Sequence, residues 1–308
     1  MSSDLTRRGF LKSAGAVAFS AGVLTGASHS WAQAEKPSTA GAKAKANVEA
    51  RAFLCGILKT QTQYMLKDTR VGTPFNIPVT FFLIKHGNDW VAFDTGNNAM
   101  VAKDPVAYWG EAVTKAYFPV MKDYEEFRAQ INKLGIKPKD IKAVILSHGH
   151  LDHAGGIDNF KGTDVPIYLQ KAELEIIKKA VEEGKKTAYI PEDFKVIDEL
   201  NIKTVDGVFD LFGDQTVVAF PTPGHTGGHQ SLLVKPTEGK PLVLAADAMY
   251  TLENMQEAIP PGLAMDIPQA LQALYVFKAM KLIGSEVVPS HDPDYWKEKP
   301  IAPKPFVF

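Results

Sequence analysis

Four side chains that commonly bind metal ions stand within six residues of one another: His148, His150, Asp152 and His153. Imidazole and carboxylate groups are protein ligands of zinc, iron, cobalt and manganese. A lone His-x-His would be weak evidence, but this chain has only eight histidines in 308 residues. The alternative is a polar surface loop that contains these histidines by chance. We predict a metal site here, and the two glycines that follow would allow close backbone approach.

Three later residues of the same chemical types each follow an apolar run: His225, Asp247 and His291. Taken singly, each is equally well explained as a loop cap or a hydrogen-bonded core residue. Together with the first four they make seven candidate ligands, too many for one tetrahedral zinc and suited to two ions that share a carboxylate. The predicted first metal has His148, His150 and His225, the second has Asp152, His153 and His291, and Asp247 bridges them.

Two divalent cations close together would hold a hydroxide at neutral pH and polarise a carbonyl group. The predicted reaction is therefore hydrolysis. Zinc is the expected metal, with iron, cobalt and manganese as alternatives.

The run at 148–153 directly follows the apolar stretch Ala143–Leu146, so a buried strand should position it at a loop. The other strand predictions are 52–58, 79–84, 90–93, 167–169, 217–220, 231–234, 242–245 and 286–288. Helices are predicted at 124–134, 171–183 and 267–283. This order indicates two sheets with helices outside them, in one domain over residues 48–308.

The N-terminus has the composition of an export signal. Arg7-Arg8 and Lys12 precede a stretch of small apolar residues, and Ala32–Ala34 matches an Ala-x-Ala cleavage site. The apolar stretch is shorter than the ~20 residues that a membrane anchor, the alternative, would need. The paired arginines followed by Phe-Leu-Lys resemble a twin-arginine signal. We predict a signal peptide at 1–34, a disordered linker at 35–47 and a periplasmic or secreted protein.

The composition excludes several classes of protein. Cys55 is the only cysteine, so a disulfide framework and a thiolate metal cluster are both excluded. The net charge is -1 with dispersed Lys and Arg, which gives no basic surface for nucleic acid. No membrane contact is expected after signal cleavage, and a small molecule is the expected partner.

At the His148–His153 run the chain resembles the metallo-β-lactamase superfamily, whose His-x-His-x-Asp-His motif it matches. The resemblance extends from Val48 to the C-terminus and implies an αβ/βα four-layer sandwich with the site at the edge between the sheets. Asp94-Thr95-Gly96 resembles an early motif of the family, which implies that Asp94 supports the metal-binding histidines. A plain turn is the alternative for Asp94.

Within the superfamily the chain is most similar to N-acyl homoserine lactonases, the quorum-quenching enzymes. The stretches that carry this similarity are Asn76–Val79, Thr222–Ser231 and Asp247–Asn254. The resemblance implies that Tyr250 contacts the substrate carbonyl, although it could be a packed aromatic. A metal-bridging hydroxide would attack the lactone carbonyl, and Asp152 would pass its proton to the leaving alkoxide.

The resemblance also implies less specific features. His229 is expected to support the metal ligands through a hydrogen bond, and the chain is expected to form a homodimer. Met65 takes the place of an entrance methionine, and three further residues are candidate pocket walls: Trp109, Phe118 and Met249. Simple packing is the alternative for each of these four. Leu151 stands where the best-known lactonases often have an aromatic residue, which leaves the acyl-chain preference open.

Three alternative functions on the same fold compete with the lactonase hypothesis. One is a hydrolase of another ester, lactone, thioester or organophosphate. The absence of a basic cluster near the C-terminal helix argues against glutathione thioesters. A second is an oxygen-reducing or sulfur-oxidising protein, but oxygen-reducing members usually have Glu where His150 stands. A non-catalytic binding protein is disfavoured because every expected ligand is present.

Overall fold

A computed structural model describes residues 46–308. The predicted signal peptide and all but the last two residues of the predicted linker lie outside that range. The strands are β1 Val48–Gln61, β2 Pro74–His86, β3 Asp89–Phe93, β4 Phe118–Val120, β5 Ile141–Ile145, β6 Pro166–Gln170, β7 Asn201–Val205, β8 Phe209–Asp210, β9 Val217–Pro221, β10 Gln230–Val234, β11 Leu242–Leu244 and β12 Glu286–Val288. The α-helices are α1 Thr62–Met65, α2 Pro105–Trp109, α3 Glu111–Ala116, α4 Phe127–Asn132, α5 Lys171–Glu183, α6 Leu252–Glu257, α7 Ile267–Leu282 and α8 Pro293–Lys297.

The strands form two sheets. The larger sheet has the order β4-β1-β2-β3-β5-β6-β7, and the smaller has the order β12-β11-β10-β9-β8. In the larger sheet β3, β5, β6 and β7 run parallel, and in the smaller sheet β11 and β12 run parallel. Because parallel neighbours end at the same edge, the loops after β3 and β5 meet there.

The apolar residues of the strands alternate between two buried faces. In β2, Phe82 and Ile84 pack between the two sheets, whereas Phe81 and Leu83 pack against the helices outside the larger sheet. Helix α7 covers the outer face of the smaller sheet through residues such as Phe277. The result is helix, sheet, sheet and helix in four layers, so the predicted αβ/βα sandwich is confirmed.

The sequence pattern located the central strands but missed three strands, β4, β7 and β8, that lie at sheet edges. These are short or partly exposed, so they lack the apolar runs by which a buried strand is found.

The α-helix in the region 124–134 is shorter than the sequence pattern predicts and covers Phe127–Asn132. Its α-helical part begins at Phe127, because Glu126 is extended and its carboxylate accepts backbone N–H groups of the first turn. Among the described residues, no helix is both long and apolar enough to cross a membrane.

Candidate metal centre

The candidate ligands lie on loops at one edge of the two sheets. The run 148–153 follows β5, and Asp94 follows the parallel neighbour β3. His225, Asp247 and His291 follow β9, β11 and β12, three strands of the smaller sheet that point in the same direction. The structure brings all seven predicted ligands together in two buried groups.

The first group consists of three imidazoles whose ring nitrogens face one another. His225 Nε2 lies 3.1 Å from His148 Nε2 and 2.9 Å from His150 Nδ1. Burial lowers the pKa of all three rings, that of His150 to about 3, with neighbouring histidines adding to the effect. Neutral rings present lone pairs, and three converging lone pairs form a site that fits a cation.

The second group consists of Asp152, His153 and His291. His291 Nε2 lies 3.5 Å from Asp152 Oδ2, and His153 Nε2 lies 3.9 Å from Asp152 Oδ1. His153 Nε2 is buried and makes no hydrogen bond. Asp247 Oδ1 lies 3.0 Å from this nitrogen but forms no hydrogen bond with it, so a cation would satisfy the buried nitrogen and this group also fits a metal ion.

Asp247 lies between the two groups. Its Oδ2 is 3.6 Å from His148 Nε2 and 3.3 Å from His225 Nε2. Its Oδ1 is 3.0 Å from Nε2 of both His153 and His291. One carboxylate oxygen therefore faces each group, which is the geometry of a bridging ligand. The described residues contain two groups able to hold two metal ions.

In the second group, hydrogen bonds on the far side of the His153 and His291 rings select the nitrogen that faces the centre. Asp94, in a left-handed conformation at φ +61°, accepts from His153 Nδ1 at 2.8 Å. His291 Nδ1 donates to the carbonyl of Pro78 at 2.8 Å, which explains one of the motifs that resembled lactonases. With Nδ1 protonated in both rings, Nε2 is left free to bind a cation.

His229 also supports the centre, through a hydrogen bond to the backbone of the bridging residue Asp247. Its Nε2 accepts the N–H of Asp247 at 3.1 Å, so its Nδ1 carries the proton and donates to Thr222 Oγ1 at 2.9 Å. Burial lowers the pKa of His229 to about 3, which keeps Nε2 available as an acceptor. This contact holds the backbone of the bridging residue in place.

Glu173 is a buried residue of α5 that the sequence reasoning missed. Its carboxylate accepts from Gly149 N–H at 2.9 Å, Tyr189 OH at 2.8 Å and Thr226 Oγ1 at 2.6 Å. Gly149 separates two ligands of the first group, and Thr226 is adjacent to the third. Glu173 therefore ties the two ligand loops together. A Glu in the first turn of a helix usually faces solvent, so nothing local in the sequence marks it.

The glycines after the ligand run permit close backbone packing against the loop after β3. A Cβ at Gly155 would lie 2.4 Å from the backbone nitrogen of Asn98, and one at Gly156 would lie 2.7 Å from the carbonyl oxygen of Thr95. Their role is close packing between the two loops that carry the ligand run and Asp94.

A narrow cleft with a cavity volume of about 30 Å³ opens beside both groups. Its polar lining includes ligands from both groups together with Tyr250 and Tyr117. The rest of the lining is apolar and consists of Leu58, Met65, Ile77, Leu151, Ala188 and Leu263. None of the described residues that line this cleft is Lys or Arg.

Tyr250 lies in this cleft with its hydroxyl 3.1 Å from His225 Nδ1. Since Nε2 of His225 faces the other imidazoles, Nδ1 is the protonated nitrogen and donates to the phenol oxygen. The O–H of Tyr250 is then free to donate to a bound molecule.

Of the four predicted pocket-wall residues, the structure places one in the lining of the cleft and three elsewhere. Met65 lines the cleft as expected. Trp109 is instead fully buried beside the larger sheet, and Met249 packs under α7. Phe118 is 43% exposed on the edge strand β4, where alternation turns its side chain away from the interior. Tyr117, the residue before it, faces the cleft and was not predicted.

The chain is similar to known proteins in both sequence and structure. The family model described as "Metallo-beta-lactamase superfamily" matches residues 76–291. The N-acyl homoserine lactonase AttM of Rhizobium radiobacter is 35% identical over 258 residues, which cover 81% of this chain and 95% of that protein. The chain belongs to the metallo-beta-lactamase superfamily. Another superfamily member, AttM of Azorhizobium caulinodans, is 34% identical and covered over 94% of its length.

A solved structure in the superfamily adds a comparison of the fold. It is an N-acyl homoserine lactone hydrolase with the product N-hexanoyl-L-homoserine bound at its catalytic metal centre. It matches with a TM-score of 0.75 and 25% identity, over 85% of this chain and all of that one. The superfamily fold therefore extends over nearly all the described residues.

Proposed function

We propose that this protein is a dinuclear metal-dependent hydrolase that opens the lactone ring of N-acyl homoserine lactones. The observation that carries the proposal is the cleft, in which the Tyr250 phenol stands beside ligands from both metal groups. The names of the most similar relatives support this substrate class. The absence of Lys and Arg from the cleft lining suits an uncharged substrate better than an acidic thioester or phosphate.

The seven candidate ligands would hold two cations. His148, His150 and His225 would hold one cation, His153, His291 and Asp152 the other, and Asp247 both. When bound, a pair of divalent cations supplies a nucleophile derived from water and Lewis acidity toward a carbonyl oxygen.

Two side chains of the cleft complete the proposed chemistry. Tyr250 donates its free O–H to the lactone carbonyl oxygen, which stabilises negative charge as it develops there. Asp152 lies in the same cleft and would carry the proton of the nucleophile to the departing ring oxygen. The product is an N-acyl homoserine.

The first test measures acid release from N-acyl homoserine lactones of several chain lengths by pH-stat titration. We expect turnover by the purified protein and none after metal removal by a chelator. The His86→Ala variant is a matched control, because His86 contacts Asp214 at the surface and lies outside the centre. Turnover of phosphotriesters or thioesters alone would reject the proposed substrate.

We further propose that both ions are zinc. The support is a donor set of imidazole nitrogens and carboxylate oxygens, which suits zinc as well as iron, cobalt and manganese. Elemental analysis should find close to two zinc ions per chain. A single ion per fully active chain would contradict the dinuclear assignment.

Export to the periplasm by the twin-arginine route is also proposed, on the support of the Arg7-Arg8 motif and the Ala32–Ala34 cleavage pattern. Cell fractionation should find the mature chain in the periplasm. Replacing both arginines by lysine should keep the precursor in the cytoplasm. Equal export of both proteins would reject this route.

A further inference from the structure

Tyr117 lines the cleft, and its hydroxyl is buried without a hydrogen-bond partner. It is one of six buried side-chain nitrogen or oxygen atoms in the described residues that make no hydrogen bond. A buried polar atom with no partner is rare in proteins and calls for a specific explanation. For His153 Nε2, another of the six, the explanation is the candidate metal site. Tyr117 has no such explanation within the protein.

The position of Tyr117 is well defined by its surroundings. Its N–H caps α3 by donating to the carbonyl of Val113 at 2.8 Å. The carbonyl of the preceding residue accepts from Thr60 Oγ1 at 2.9 Å, which fixes this segment to β1. The ring packs against Tyr64 at 5.5 Å between centroids. The phenol is therefore held in place rather than free to turn into solvent.

The chemical character of this phenol is that of a hydrogen-bond donor. Burial raises its pKa, and the charges of Asp152, Tyr64 and Asp247 add to that effect. The group is protonated throughout the neutral range. Thr60 has the smallest effect on this pKa and lowers it, as a donor toward the phenol oxygen does, so the phenol hydrogen is left without an acceptor among the described residues. A ligand with a carbonyl group in the cleft would supply that acceptor.

The two phenols of the cleft come from opposite sides of the fold. Tyr250 follows β11 of the smaller sheet, whereas Tyr117 lies between α3 and β4 of the larger sheet. Tyr250 is the phenol next to the first metal group, so it serves the lactone carbonyl. An N-acyl homoserine lactone has a second carbonyl, that of its amide, attached through nitrogen to the lactone ring.

We propose that the Tyr117 hydroxyl donates a hydrogen bond to the amide carbonyl of the substrate, and so selects acylated lactones over simple ones. This inference rests on the proposed lactonase function. It makes Tyr117 a residue that determines specificity, with no part in the bond-breaking step.

The test compares Tyr117→Phe with the unchanged protein on two substrates of matched chain length. One is an N-acyl homoserine lactone, and the other is a γ-lactone with an alkyl chain and no amide. The variant should lose roughly five- to fifty-fold in kcat/KM on the acylated lactone, because a buried carbonyl loses its donor. Its kcat/KM on the γ-lactone should stay within about two-fold, since that substrate never used the bond.

Tyr64→Phe is the matched control. Tyr64 packs against the Tyr117 ring but does not line the cleft, so this variant removes a phenol hydroxyl that cannot contact the substrate there. It should leave the ratio of the two kcat/KM values unchanged. An unchanged ratio in Tyr117→Phe, whether both activities persist or both fall, would overturn the inference and leave the lactonase proposal intact. Failure of the unchanged protein to open any acylated lactone would reject the proposed function and this inference with it.

Discussion

Replacing Glu173 should loosen the first metal group, although its hydrogen bonds go to Gly149, Tyr189 and Thr226 and not to the ligand side chains. Its carboxylate accepts three hydrogen bonds, from Gly149, Tyr189 and Thr226, and the residue is fully buried. All three partners are donors, so an acceptor-only group is required at this point. The ligands of the first group lie directly beside two of these partners in the chain.

The size of the effect follows from those bonds. In Glu173→Ala three buried donors lose their acceptor at roughly 1–3 kcal/mol each, or about 3–9 kcal/mol in all. A loss of that size approaches the ~5–15 kcal/mol of a whole domain, so this variant is expected to fold poorly. Glu173→Gln is more informative. It keeps the shape and one acceptor oxygen, and should cost about 1–3 kcal/mol because an amide NH₂ group replaces the other oxygen and one of the three donors loses its acceptor.

The assay is metal content after dialysis against increasing chelator concentrations, combined with denaturant unfolding. Support residues of this kind typically change metal affinity by roughly 10- to 100-fold, so Glu173→Gln should release one ion at lower chelator concentration than the unchanged protein. Glu175→Gln, on the exposed face of the same helix, is the matched control. A folded Glu173→Gln protein that keeps both ions as tightly as the unchanged protein would refute the reasoning.

Four further outcomes are expected. Tyr250→Phe should lower kcat by roughly ten- to a thousand-fold in the same acid-release assay, since an oxyanion donor is lost; an unchanged rate would remove Tyr250 from the chemistry. Asp247→Ala should leave less than one ion per chain by elemental analysis, because both groups lose a shared ligand; two retained ions would contradict bridging. Gly155→Ala should lower the unfolding free energy by about 1–3 kcal/mol in denaturant titration, because the added Cβ meets backbone. Burial raises the pKa of Cys55 to about 12, so its thiol should stay unreactive toward a disulfide reagent at pH 8 until the protein is unfolded.

The same pKa shift predicts how stability depends on alkaline pH. The folded state binds the Cys55 proton more tightly than the unfolded state, so this stabilisation is complete below the ordinary thiol pKa of 9.0 and is lost as pH rises toward about 12. Cys55→Ala should therefore show a weaker fall in unfolding free energy over that interval. An identical fall in both proteins would contradict the assigned shift.

How the centre is supported could not be found from local patterns. The bond from His291 to Pro78 spans 213 positions of sequence, and the bond from Thr226 to Glu173 spans 53. Each bond forms only when separate elements pack together, so it cannot be predicted from sequence periodicity or residue spacing. The resemblance to lactonases indicated that Asn76–Val79 mattered, but only the structure shows that a carbonyl within it orients a ligand.

The residues of the cleft show the same difference between what local sequence patterns predict and what tertiary packing decides. Apolar type alone suggested Trp109, Phe118 and Met249, yet apolar residues fill cores far more often than clefts. Phe118 is exposed at the start of β4, whereas Tyr117, the extended residue just before that strand, lines the cleft. That difference is made by sheet packing.

What the sequence determined by itself is the ligand chemistry and the places where ligands occur. Apolar runs encode buried strands locally, and His or Asp just after a strand must lie at a sheet edge, so the seven positions and the layered fold were predictable. Only the tertiary structure decided which Asp247 oxygen faces which group, that Glu173 joins two ligand loops, and that Tyr117 is left with an unpartnered hydroxyl. The physical reason is that burial and hydrogen bonding between distant segments depend on how whole sheets and helices pack.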